Sequence, residues 1–216
     1  MRPLFVLLFG GFLISHCVEA GETVIGVRTL RIPDGFEVEL AADPSLVGRP
    51  IAVARDEKGR MYVTDSGGMT ERAEQQLAVK PHSIRRLEDI DGDGIYDRST
   101  LFADKLMFPE GCLWYDGSLY VAAPPIIWKL TDTDNDGIAD KREEWFNGKT
   151  LTGCANDLHG PYRGPDGWIY WCKGAFAEQT YERPGKKPFT TKASHIFRAR
   201  PDGTGIEPVM SGGMDN

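Results

Sequence analysis

Short stretches in which apolar and polar residues alternate recur along the chain and predict β-strands, because successive side chains of a strand face opposite sides of a sheet. No stretch of ten or more residues in the body of the chain has a convincing helical period. Three of the strand-like stretches resemble one another, and each follows an aspartate that is typical of a turn. They are Gly59–Val63 after Asp56, Gly117–Val121 after Asp116, and Gly167–Trp171 after Asp166, with Tyr62, Tyr120 and Tyr170 at their fourth positions.

A second strand-like element, apolar and basic, follows each of these stretches. It occurs as Ile84–Leu87, Ile127–Leu130 and Ile196–Ala199. Two elements that recur in the same order over roughly 40 to 60 residues are typical of propeller blades with about four strands each. The sequence therefore predicts an all-β fold, and a β-sandwich with irregular turn spacing is the alternative.

The predicted blades lie near 30–105, 106–155 and 156–216. Between two strands of the first blade, the polar segment 64–82 predicts a long loop with a short helix around Glu71–Leu77.

Composition narrows the class of protein. The 216-residue chain is 41% hydrophobic, which argues against intrinsic disorder. Its formal net charge of −7 argues against nucleic-acid binding, which requires a basic face.

The first twenty residues have the pattern of an export signal. Arg2 provides a positive charge, Leu4–Ile14 is an apolar run, and small residues lead up to Ala20. The run is much shorter than the roughly 20 residues that a membrane anchor needs, and His16 before Cys17 fits a lipoprotein site poorly. We expect cleavage near Ala20, export to the periplasm or cell surface, and no transmembrane segment in the mature chain.

Three cysteines remain after the signal, namely Cys112, Cys154 and Cys172. Export permits one disulfide and leaves one thiol over. Their spacing fits neither a zinc site nor a haem-attachment motif, so the pairing stays open, and at least one is expected to be a small buried residue.

Two acidic loops match the D-x-D-x-D-G core of a calcium loop. Carboxylates at positions 1, 3, 5 and 9 and a backbone carbonyl at position 7 supply oxygen ligands, while glycine at position 6 permits a sharp turn. Hairpin turns that bind no metal are the alternative. The predicted ligands are Asp89, Asp91, Asp93, Ile95 and Asp97 in the first loop, and Asp132, Asp134, Asp136, Ile138, Asp140 and Glu143 in the second.

One histidine lies where chemistry is expected. His159 precedes the third Gly-x-x-Tyr stretch, in a segment that would open onto a propeller's central channel. Imidazole accepts a proton near neutral pH, and Asp157 is close enough in sequence to orient it. A structural role is the alternative for a lone histidine, and His82, in a polar loop, and His195, in a strand, have weaker cases.

Several motifs resemble known dehydrogenases. The run His159–Pro161, followed by Gly164–Gly167 and Tyr170, resembles a segment of pyrroloquinoline-quinone-dependent sugar dehydrogenases, which are exported six-bladed propellers. A larger set, covering nearly all of 25–216, is similar to the membrane-bound dehydrogenase domain of planctomycetes and verrucomicrobia. That set comprises Leu87–Gly94, Phe108–Gly111, Val121–Pro125, Asp132–Gly137 and His159–Pro161.

The resemblance implies a partial six-bladed β-propeller of about three blades that oxidises a sugar or other alcohol. His159 would remove the hydroxyl proton while hydride passes to pyrroloquinoline quinone, and a cytochrome c would be the electron acceptor. Basic residues that hold the quinone's carboxylates in the sugar dehydrogenases lie in later blades. Since closed propellers have at least four blades, the chain is expected to be the N-terminal part of a longer propeller.

A binding function, instead of an enzymatic one, remains open. A non-catalytic, calcium-stabilised propeller would bind carbohydrate or a protein partner, with Trp114, Trp168 and Trp171 as stacking surfaces. Core packing is the alternative for these tryptophans.

Overall fold

A computed structural model describes residues 20–69, 71–149, 151, 158–174 and 177–212. In these residues it has 16 strands and one short helix, which confirms the predicted all-β class. Residues 1–19 of the predicted signal lie outside the described residues, as do Cys154 and Asp157.

The chain divides into two units, residues 1–40 and 41–216. In the first, β1 (Ala20–Ile25) and β2 (Arg28–Pro33) form an antiparallel hairpin. The structure therefore differs from the prediction that the first blade begins near residue 30, because those residues pair within this hairpin and the first blade's sheet begins at Pro50.

The second unit contains three four-stranded antiparallel sheets, each a meander in chain order. The first sheet consists of β3 (Pro50–Arg55), β4 (Met61–Asp65), β5 (His82–Glu88) and β6 (Arg98–Leu106), with α1 (Ala73–Val79) between β4 and β5. The second consists of β7 (Gly111–Tyr115), β8 (Ser118–Ala123), β9 (Ile126–Thr131) and β10 (Lys141–Asn147). The third begins with β11 (Leu158–Arg163) and β12 (Ile169–Lys173), continues after the inserted hairpin β13 (Gln179–Tyr181) and β14 (Phe189–Thr191), and ends with β15 (Ser194–Ala199) and β16 (Glu207–Gly212).

The two recurring sequence elements are neighbouring strands in each sheet. In every sheet the tyrosine of the second strand pairs directly with a basic residue of the third. These pairs are Tyr62 with Arg86, Tyr120 with Lys129, and Tyr170 with Arg198. The predicted repeat is thus a real structural repeat, since a tyrosine and a basic residue occupy the same paired positions in three sheets.

Apolar side chains from adjacent sheets form the core. One cluster joins the first and second sheets around Tyr62, Phe102 and Leu130, and another joins the second and third around Phe146 and Trp171. Trp171 is 1% exposed, so it is a core residue and not a stacking surface. The sheets therefore share cores with their neighbours, as propeller blades do.

The first strands of the three sheets adjoin one another, with β3 beside β7 and β7 beside β11. These three strands are called the inner strands below. The backbones come closest at Gly111, where a Cβ would lie 2.9 Å from the carbonyl carbon of Gly160 and closer still to its oxygen. A glycine is therefore required at position 111 for β7 and β11 to approach this closely.

We expect Gly111→Ala to lower the free energy of unfolding by about 1–3 kcal/mol, because the added methyl group would push two inner strands apart. Urea denaturation followed by far-UV circular dichroism measures this change. Gly212→Ala is the matched control, since a Cβ there meets nothing within 4 Å. Equal effects of the two substitutions would contradict the proposed strand contact.

Candidate functional site

His159 is the second residue of the inner strand β11 and lies beside a buried carboxylate. Its Nε2 is 3.3 Å from Oε2 of Glu110. The imidazole side chain is 33% exposed, whereas the Glu110 side chain is only 4% exposed. The pair therefore combines a solvent-accessible base with a carboxylate held away from water.

The segment between β6 and β7 positions Glu110. The backbone N–H of Glu110 donates to the carbonyl of Ala122 at 2.8 Å, and this hydrogen bond fixes Glu110 immediately before β7. Gly111 then meets Gly160, the residue after His159. Since both side chains lie next to this contact, the approach of the two inner strands brings the carboxylate and the imidazole together.

The arrangement can act as a proton acceptor. If Nε2–H donates to Glu110, the lone pair on Nδ1 is the basic atom of the His159 ring. The carboxylate would also stabilise the imidazolium that forms when the ring takes a proton. These are the two functions that a carboxylate serves in a histidine-based general base.

The sequence pattern did not point to Glu110. It assigned the orienting carboxylate to Asp157, which lies outside the described residues. Glu110 is the variable position of the Phe108–Gly111 motif, and no sequence spacing connects it with His159. The position of the motif at the start of the second predicted blade, 106–155, is the one signal that could have pointed to it.

A lysine is buried at the same end of the third sheet as His159. Lys173 ends β12, is 2% exposed, and its Nζ donates to the carbonyl of Gly174 at 2.9 Å. In the register it lies opposite Leu158, the neighbour of His159. The end of the third sheet that carries the histidine thus also contains a buried cation.

The other described histidines are core residues. His82 is 1% exposed, with Nδ1 2.9 Å from the Ser66 carbonyl and Nε2 2.7 Å from Oε1 of Gln76. The prediction that His82 lies in a polar loop is therefore wrong, since it begins β5. His195 is 4% exposed, with Nε2 2.7 Å from Thr191 Oγ1. Burial lowers the pKa of both imidazoles, as expected for groups that are held neutral.

The acidic loops connect the third and fourth strands of the first two sheets. In each, three carboxylates offer oxygen atoms that all lie within 4.8 Å of one another. In each, the glycine at position 6 donates its N–H to Oδ2 of the first aspartate at 2.9 Å. The clustered residues are Asp89, Asp91 and Asp97 in the first loop and Asp132, Asp134 and Asp136 in the second.

The remaining predicted carboxylate ligands lie outside these clusters. Asp93 accepts the N–H of Ile95 at 2.8 Å. Asp140 accepts a hydrogen bond from the Thr133 hydroxyl, which lowers the pKa of its carboxyl group. Glu143 lies on β10, 2.9 Å from Lys141.

Asp132 connects the second loop to the first sheet. Its Oδ2 is 3.5 Å from Nη1 of Arg86, whose Nη2 is 3.0 Å from Glu88. The Asp132 side chain is 8% exposed, and its buried Oδ1 has no hydrogen-bond partner among the described residues. A loop of the second sheet is thus anchored on β5, with one carboxylate oxygen left to accept a ligand.

The two other tryptophans that were predicted as stacking surfaces, Trp114 and Trp168, are half-buried. Trp114 stacks on Tyr62, with ring centroids 4.7 Å apart. Trp168 lies under the guanidinium groups of Arg198 and Arg200, at 4.4 and 4.9 Å.

Cys112 and Cys172 are free thiols, and burial raises the pKa of Cys112 to about 12. Cys154, the third cysteine of the predicted mature chain, lies outside the described residues. The described cysteines therefore form no disulfide.

Three consecutive four-stranded meanders with adjoining first strands define a protein of the β-propeller class. The chain belongs to the family described as Domain of unknown function (DUF7133), whose profile matches residues 25–216. No curated protein matches the sequence.

Two solved structures are similar at low identity. One is a nidogen–laminin complex, with 18% identity, a TM-score of 0.47, and coverage of 75% of this chain and 48% of the matched chain. The other is an oxidoreductase of Thermus thermophilus described as a glucose dehydrogenase, with 16% identity, a TM-score of 0.44, and coverage of 73% and 46%. The chain thus spans about half the length of each of these two structures.

The helix in the described part of the chain, α1, has 7 residues and is too short to cross a membrane.

Proposed function

We propose that the chain is part of an exported oxidoreductase that oxidises a sugar or other alcohol, with His159 as the general base. The observation that carries this proposal is the 3.3 Å contact between Nε2 of His159 and the carboxylate of the buried Glu110. The motif resemblance to sugar dehydrogenases supplies the reaction class, because the aligned histidine is their proton acceptor.

In the proposed reaction the substrate carbinol loses a proton and a hydride and becomes a carbonyl. His159 takes the hydroxyl proton, and Glu110 balances the charge of the imidazolium. Removal of the proton raises electron density on the carbon, so that hydride can leave. Both events must converge on one carbon, which requires a rigid position for the base.

The resemblance implies pyrroloquinoline quinone as the hydride acceptor. When bound, it would supply a two-electron oxidant. Among the described residues, Lys173 is a buried cation at the same end of the third sheet as His159, but it pairs with Leu158 and so projects from the other face, whereas the quinone carries several carboxylates. The described residues therefore fit the removal of a proton but do not form a cradle for the quinone.

We expect His159→Ala to lower kcat/KM by about 10²–10⁴-fold, the usual contribution of a general base. Glu110→Gln should lower it by about 10²-fold, because the amide cannot balance an imidazolium. The assay is dye-linked sugar oxidation by the full-length protein, reconstituted with pyrroloquinoline quinone and calcium.

Glu178→Gln is the matched control, since that side chain is 65% exposed and distant in sequence from the pair. Melting temperatures of all variants confirm that they are folded. Activity that is unchanged in His159→Ala, or a protein that does not bind the quinone, would contradict the proposed function.

We also propose that both acidic loops bind calcium. The clustered oxygens are hard ligands of the type that calcium prefers. The partnerless Oδ1 of Asp132 supports a cation at the second loop, because a buried carboxylate oxygen without a partner is unfavourable. The bound ion would stabilise the hairpins and, through Asp132 and Arg86, the junction of the first two sheets.

Removal of calcium with a chelator is expected to lower the melting temperature by about 5–10 °C, since a ligand that binds only the folded state stabilises it. Asp132→Asn should weaken calcium binding in isothermal titration calorimetry and reduce the effect of the chelator. Asp104→Asn, an exposed change on β6, should alter neither. A melting temperature that does not respond to the chelator would contradict this proposal.

A further inference from the structure

A pocket lies at the opposite end of the inner strands from Glu110 and His159. That pair lies where β7 and β11 begin. The pocket, of about 270 Å³, lies between Trp114, near the end of β7, and Glu57, in the turn that follows β3. A ligand bound there would be remote from the proposed catalytic base.

Trp114 forms an aromatic wall of this pocket. Its ring stacks on Tyr62 with an interplanar angle of 15°, and its Nε1 donates to Oε2 of Glu57 at 2.8 Å. These two contacts fix the indole before any ligand arrives, which reduces the entropy lost on binding. A fixed aromatic surface beside hydrogen-bonding groups suits a ligand with an apolar face and a polar edge.

The polar groups of the pocket are balanced in charge. Glu57 and Asp132 are acidic, whereas Lys58 and Arg60 are basic. Arg60 is held by Asp56, whose side chain is fully buried, so its guanidinium is also fixed. Donors and acceptors are both present without a net charge, which favours a neutral ligand that carries several hydroxyl groups over an anion or a cation.

One residue that lines the pocket also has a buried acceptor without a partner. Asp132 lines the pocket, its side chain is 8% exposed, and its Oδ1 has no hydrogen-bond partner in the described part of the chain. Buried acceptors without partners are uncommon, and each requires an explanation. The cation proposed for the second acidic loop would satisfy this oxygen, so Asp132 joins that loop to the edge of the pocket.

We infer that this pocket binds one sugar unit of a neutral glycan. The ring stacks on Trp114, and its hydroxyls hydrogen-bond to Glu57 and Arg60. The volume is slightly below the roughly 300 Å³ at which drug-sized ligand pockets begin, which suits a ligand as small as a single sugar ring. The inference is independent of the proposed oxidation, because it involves neither His159 nor Glu110.

The test is saturation-transfer NMR and titration calorimetry of the full-length protein in calcium. The probes are the methyl glycosides of glucose, galactose and mannose, with glucuronate as a charged comparison. We expect at least one neutral glycoside to bind saturably, and Trp114→Phe to weaken it about tenfold while the stack on Tyr62 is kept.

Trp168→Phe is the matched control, since that ring is covered by arginines in the third sheet. Lys58→Glu, an exposed change at the rim of the pocket, should also weaken binding. It replaces Trp114→Phe as the test if that variant does not fold. Binding to none of the neutral glycosides, a preference for glucuronate, or equal losses in Trp114→Phe and Trp168→Phe would overturn the inference.

Discussion

Two glycines determine the distance between the inner strands of the second and third sheets. Because Gly111 has no side chain, its backbone rests against the carbonyl of Gly160. Glu110 and His159, the residues just before these glycines, are brought to 3.3 Å by this contact. The proposed site therefore depends on a backbone approach, and a larger residue at position 111 would separate the carboxylate from the base.

The burial of Glu110 has a functional consequence. Removing a carboxylate from water is costly unless a cation or donor compensates it, and His159 is such a partner. The imidazole is a third exposed, so it can exchange a proton with a ligand while the carboxylate remains shielded. The opposite ends of the strands have another organisation, in which Arg86 of the first sheet holds Asp132 of the second.

The repeat was predictable because it is local. The Gly-x-x-Tyr stretches and the basic strands are short patterns with period two, and their pairing follows from the meander. The partner of His159 was not predictable, since it depends on contact between strands about fifty residues apart along the chain. The first blade's start was misplaced because the β1–β2 hairpin has the same alternation as a blade strand. Helix α1 was predicted at 71–77 and lies at Ala73–Val79, the usual error for a short helix without a side-chain cap.

The central claim is that Glu110 and His159 act as one unit. A double-mutant cycle in kcat/KM, with Glu110→Gln, His159→Ala and the combined variant, measures this coupling most directly. If the carboxylate acts only through the imidazole, the double variant should be no less active than His159→Ala alone. Losses that multiply in the double variant would show that the two residues act independently and would contradict the account.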